Sequence, residues 1–368
     1  MKVLTTIIIL FGSLLSLASC SESTEGVVVE WRGEEYVFPY KYRLEAQQNT
    51  ERSFTDVELQ KRMQISGLDS SSPFTPSWLD LDSTSFYFLD GMSGSIMQYD
   101  YDGNYMKRIS SGLGRGPGEF EYPFDLCHDA MTNFYQVDLG VRSLVSLDSK
   151  GKFRWQKFFK ENSPGNIACF NSGVIVSVTG PEMDHIFESY SAQGEREEAF
   201  THIVNNDEHK LAKNVGVFGM PLVGSMEVWD NEFIFIPKYI PQIIRYSSEG
   251  EIKQVIRTMD KSSAPKVIFG DDDLYGLPGN FPVGFEGTDI NLGSALMGDE
   301  LVIWSQLGNE QYDYHLFDVY RAKTGRYQYS MILDLGDISG FKIHDENLVT
   351  YNTATYEVIG YQMNIPRD

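Results

Sequence analysis

Basic side chains are scarce in this chain. Thirty Lys and Arg stand against 52 Asp and Glu, a formal net charge of −22. Nothing in that balance offsets phosphate repulsion, which excludes nucleic acid as a partner. It suits a well-hydrated body outside the cytoplasm. Cysteine is scarcer still, at three residues, too few for a disulfide framework. The six histidines (His128, His185, His202, His209, His315, His344) lack metal-ligand spacing such as His-Glu-x-x-His. No Gly-x-Ser-x-Gly elbow supplies a nucleophile. Helical periodicity is nearly missing, and only VELQKRM (57–63) tempts.

The N-terminus reads MKVLTTIIILFGSLLSLASC. Lys2 precedes an apolar run of signal-peptide length that ends in small residues and a cysteine. A spanning helix needs roughly twenty apolar residues, and this run is shorter. Leu17-Ala18-Ser19-Cys20 resembles a bacterial lipobox, which implies cleavage before Cys20, acylation of its thiol, and the membrane as a partner. The SESTE that follows is similar to the tether of Bacteroidota lipoproteins carried to the outer membrane, on its periplasmic or surface face. On that reading residues 1–19 are a signal peptide and 20–33 a lipidated tether. Losing the leader removes only Lys2, leaving 29 basic against 52 acidic side chains, −23. Cys127 and Cys169 then remain. An oxidising location permits a bridge, but two buried thiols are the expectation.

What is present is a repeat. Five segments share a strand, a break, a second strand ending in Tyr or Leu, a glycine turn and a third strand. They are 86–109, 134–159, 174–200, 233–258 and 301–333. Tyr99, Leu147, Tyr190 and Tyr246 stand four residues before Gly103, Gly151, Gly194 and Gly250, and Tyr320 stands five before Gly325. Hairpin turns explain these glycines, because the position after the corner needs positive φ. The alternation in SIMQYDY and SLVSLD has the period of half-buried strands.

A sixth copy at 347–364 stops before its last strand. EEYVFPYKYRL (34–44) has the length and composition to supply it. Residues 45–75 then form a lead-in with the acidic linker EAQQNTERS, and PSWLDLD (76–82) is the first inner strand. The expected fold is all-β: a β-propeller of four-stranded antiparallel blades filling 34–368, with six blades favoured over seven.

The second copy, NFYQVDLGVRSLVSLDSKGKF, resembles an NHL-type propeller repeat, with Asp138 and Arg142 at its characteristic places and Asp90 matching the first of these. Together with the lipobox, GRGPGEF is similar to NHL-like and TolB-like six-bladed propeller lipoproteins of Bacteroidota, tightly over 86–155. Gly180, Lys238 and Leu307 fall near the Asp position in later copies, which weakens a shared ligand role for it.

SGLGRGPGEF (111–120) lies between the outer strand of blade one and the inner strand of blade two. It carries neither a Walker lysine nor the third glycine of a dinucleotide fingerprint. It reads as a crossover that presents Arg115 and Glu119 beside a channel mouth. YDYDGNY (99–105) lacks the sixth-position glycine and terminal Glu of a calcium loop and reads as a hairpin. The insert at 270–294, with Asp271, Asp272 and Asp273, reads as a solvated loop. His128, beside Cys127 on a predicted inner strand, completes the ligand candidates with Asp138 and Arg142. The expected function is a binding or scaffolding module for a glycan, peptide or envelope protein, with no cofactor. The competing class is a hydrolase or lyase holding Ca2+ or Zn2+ in the central channel.

Overall fold

The computed structural model describes residues 26–31, 33–68, 74–109, 112–160, 162–170, 173–179, 185–201, 203–204, 223–269, 282–306 and 314–366. Cys20, the leader, His202, His209 and Asp271–Asp273 lie outside these residues.

Six antiparallel four-stranded sheets form the ring of a β-propeller. Their inner strands are Pro76–Leu81, Pro123–His128, Ser163–Phe170, Gly224–Trp229, Asn291–Met297 and Gly340–His344. Each touches the next in that order, and the sixth returns to the first. The repeat follows the expected plan. Gly103, Gly151, Gly194, Gly250 and Gly325 have φ between 60° and 84°, the left-handed region that favours glycine.

The residue four or five before each glycine marks a second feature. The pairing register shifts at Tyr99, Leu147, Tyr190, Tyr246 and Tyr320. An extra residue on the outer strand bends it there, and the large side chain on the inner partner fills the space between blades. Tyr190, Tyr246 and Tyr320 are fully buried. YDYDGNY is a hairpin, as read. Asp100 accepts the N–H groups of Asp102 (3.0 Å) and Asn104 (2.8 Å).

Ring closure differs from the expectation. The outer strand of blade six is Glu58–Ser66, paired antiparallel with Glu357–Asn364, not 34–44. The segment that tempted as a helix is therefore the closing strand. Its pairing shifts between Lys61 and Met63, so Leu59 packs toward blade five while Met63 and Ile65 pack toward blade one. Leu59 and Met63 stand four apart in the sequence, a spacing that fits a helix as well as a strand.

Residues 34–39 serve elsewhere. Glu34–Pro39 and Gly26–Trp31 form a hairpin, and Gly26–Trp31 pairs in parallel with Lys266–Phe269. Pro282–Glu286 completes a seventh, accessory sheet. Part of the expected solvated insert is thus sheet. Val27, Val29, Phe38 and Val267 join one core with Phe187, Phe233 and Tyr246 of blades three and four, which is why these strands do not reach blade six.

The expected linker is a strap. Lys41 N–H donates to Ile203 O (3.0 Å), Glu45 N–H to Val255 O (2.9 Å) and Thr55 N–H to Ser330 O (2.9 Å). The chain so crosses blades three, four and five before entering six. Gln47 Nε2 donates to Arg257 O (2.7 Å) and Gly325 O (2.8 Å). Arg52 pairs bidentately with Asp318 (2.9 and 2.8 Å) and also contacts Asp260. Both carboxylates are 2 % exposed.

Candidate functional site

Six inner strands running side by side leave a space on the ring axis, since no side chain reaches across every blade. The cavity measures about 620 Å³. Its wall includes Trp78, Phe124 and Phe341, with Asp80, Asp125, Glu227 and Lys342 set among them. A smaller hollow at one end is bounded by His128, Asp129, Asp230 and Asn231.

These charges are organised. Lys342 Nζ donates to Glu227 Oε1 (2.8 Å), which also accepts Ser294 Oγ–H (2.9 Å). Burial works against the Lys342 ammonium, but Glu227 outweighs it and holds the amine charged above its usual range. Asp80 Oδ2 accepts both the His128 backbone N–H (2.7 Å) and its Nδ1–H (2.6 Å). Burial disfavours imidazolium there, yet the Asp80 charge prevails and moves the His128 pKa up.

Asp125 stands differently. Its carboxylate accepts Leu126 N–H (2.7 Å), Ile167 N–H (2.9 Å) and Asn166 Nδ2–H (3.2 Å), all neutral donors. Burial pushes its pKa up to about 7, against those hydrogen bonds and the more distant Lys342. A buried carboxyl titrating near neutrality in a cavity marks a candidate site on physical grounds.

The cysteines correct the expectation of free thiols. Cys127 and Cys169 are bridged, with Cα atoms 5.6 Å apart. Neighbouring inner strands bring together two residues 42 apart in sequence, a proximity that spacing alone does not reveal.

The candidate residues divide. His128 lines the channel. Asp138 is fully buried at the blade junction, where it accepts N–H groups from Glu121 (2.7 Å), Tyr122 (2.9 Å) and Gly140 (2.8 Å). Asp90 does the same in blade one for Thr75 (2.9 Å) and Met92 (3.0 Å). Arg142 is an exposed turn residue with φ of 51°.

Arg115 is exposed and pairs with Glu121. Glu119 accepts Gly116 N–H (2.7 Å) within its own loop. Neither lines the axial cavity. The loop buries Phe120 completely between blades one and two. Gly118, at φ of 81°, passes so close that a Cβ would lie 3.2 Å from Phe153 Cβ. Its glycines therefore serve a tight crossover.

Among the described residues no group of three His, Cys, Asp or Glu is arranged to hold a metal ion. Asp80, Asp125, Glu227 and Lys342 escaped sequence reasoning, although a signal was present. Each is a lone charge inside an otherwise mainly apolar inner strand, as in PFDLCH and GFKIH, a place where charge is rare unless paired or used.

No family model matches this chain, and no curated protein matches it. Among solved structures it is similar to a protein named as exported from Bacteroides fragilis, at 9 % identity and TM-score 0.53, covering 88 % of this chain and 99 % of that one. A member of the DUF4221 family from Bacteroides vulgatus matches at 11 % identity and TM-score 0.53, over 85 % and 99 % of the two chains. The WD40 repeats of RRP9 match at 10 % identity and TM-score 0.51, over 83 % and 100 %. At these identities the likeness is one of fold.

Proposed function

We propose that this chain is a lipid-anchored, extracytoplasmic binding module whose ligand occupies the axial channel. The observation that carries the reading is the cavity of about 620 Å³ into which four inner strands send charged side chains. Three features support the location: the lipobox-like LASC at residues 17–20, a disulfide, which persists in oxidising compartments, and a fold shared with a protein named as exported. The expected ligand is a small molecule or the protruding end of a larger one, a glycan, a peptide or a partner envelope protein.

The test screens the purified chain against a glycan array and an envelope-peptide library, beside Ser225→Trp, which plugs the channel wall. A ligand held by wild type and lost in the plugged variant fits the reading. Ligands that bind both proteins equally contradict it. Incorporation of labelled palmitate by wild type but not by Cys20→Ser tests the anchor. Equal labelling of the two overturns it.

A further inference from the structure

The channel's charges do not balance in pairs, and the imbalance points to a ligand class. This inference rests on the channel reading above and names what the channel holds. Glu227 is matched by Lys342 and Asp80 by His128. Asp125, 6 % exposed, has only neutral hydrogen-bond donors around it. Buried charges are normally paired.

The titratable groups that line the cavity with Asp125 are accounted for blade by blade: Asp80 from blade one, His128 from its own strand, Glu227 and Lys238 from blade four, and Lys342, His344 and Tyr351 from blade six. Lys238 is paired with Asp289 (2.9 Å). Blade three contributes the neutral Asn166, and blade five Ser294 and Asn291. The cationic side chain of Lys342 is already bonded to Glu227. The Cys127–Cys169 bridge makes the wall beside Asp125 covalent, so the carboxyl is held on a fixed frame.

Aromatic rings line the same cavity. Trp78 and Phe124 meet edge to face with centroids 5.0 Å apart, and both line the cavity with Phe341. A cavity lined by a carboxylate and aromatic rings suits an organic cation, which gains from the charge and from the ring quadrupole.

We infer that Asp125 anchors the ammonium group of a small organic amine whose apolar body lies along the Trp78–Phe124 wall. The ligand supplies the missing positive charge. Ionised Asp125 is the binding form, so affinity rises with pH. With its carboxyl titrating near about 7, the ionised fraction grows about tenfold between pH 6 and pH 8.

The probe is 2-phenylethylamine, titrated calorimetrically into the full chain kept in a non-ionic detergent. Binding should tighten about tenfold from pH 6 to pH 8, and any positive charge that His128 sheds as the pH rises works in the same direction. The neutral analogue 2-phenylethanol should bind at least about tenfold more weakly at pH 8. Asp125→Asn, nearly isosteric, should lose the amine's advantage and flatten the pH dependence. Equal binding of amine and alcohol, a flat wild-type profile, or an unaffected Asp125→Asn would each overturn the inference. So would an absence of amine binding at millimolar concentration. In that event a ligand that Ser225→Trp excludes still upholds the channel, so the two ideas fail separately. If Asp125→Asn does not fold, the wild-type pH profile and the alcohol decide.

Discussion

The 112–122 crossover and the 40–57 strap both run between blades, and both lie outside the repeat. They hold the ring by different means. The crossover works through backbone: Gly114 N–H donates to Phe120 O (2.8 Å), Phe120 N–H to Gly112 O (3.1 Å), and Asp138 gathers the N–H groups that follow. Its charged side chains stay local, with Arg115 on Glu121 and Glu119 on Gly116. The strap adds to its backbone hydrogen bonds side chains that reach into the ring. Arg52 satisfies Asp260 of the segment after blade four and Asp318 of blade five at once, and Gln47 bridges the same blades. Local crossing needs permissive backbone; long-range clamping needs buried polar chemistry, where a missing partner is costly.

The largest loss is expected at Arg52. Arg52→Ala strands two buried carboxylates, and unfolding free energy should fall by about 3–5 kcal/mol in urea titrations. Adding Asp260→Asn and Asp318→Asn should restore part of it. A loss below about 1 kcal/mol, the size of an exposed pair, would mean that Arg52 clamps nothing.

The disulfide comes next, since it joins blades covalently rather than by either route. Cys127→Ser with Cys169→Ser should cost about 2–4 kcal/mol, read by the same titration under non-reducing conditions. An unchanged midpoint would show that inner-strand packing alone fixes those blades.

Within the crossover, Asp138→Ala should cost about 1–3 kcal/mol, because three N–H groups lose their acceptor. Glu119→Ala removes one such bond in a more exposed place and should cost below about 1 kcal/mol. Arg115→Ala should leave the melting temperature unchanged. Should Glu119 prove costlier than Asp138, the crossover would depend on its charged side chains and the contrast with the strap would fail.

The contrast also explains what the sequence disclosed. Crossover and hairpins were legible because a glycine at positive φ is a one-residue property with one physical cause. Gly103, Gly151 and Gly250 announce their turns without reference to any partner. The strap was not legible. Gln47 and Arg52 have partners 208 to 280 residues away, and a lone Gln or Arg looks the same in a linker. The closing strand was hidden because Lys61 interrupts its apolar alternation and the Leu59–Met63 spacing fits a helix as well, and 34–44 attracted the closing role because its composition suits any sheet.

At the channel, His128 was found by its place on an inner strand. Asp125, Glu227 and Lys342 were missed because each blade contributes a different residue type, so the repeat comparison averages them away. Asp138 was selected as a ligand candidate, but its buried carboxylate holds backbone instead.

Repeats build the channel wall, while a non-repeating N-terminal segment closes and clamps it. Residue-resolved amide hydrogen exchange tests this most directly. The N–H groups of Glu58–Ser66 that pair with Glu357–Asn364 should exchange as slowly as those of the other outer strands, such as Arg326–Leu333. Exchange of 58–66 at the rate of an unpaired tail, with the other blades still protected, would contradict it.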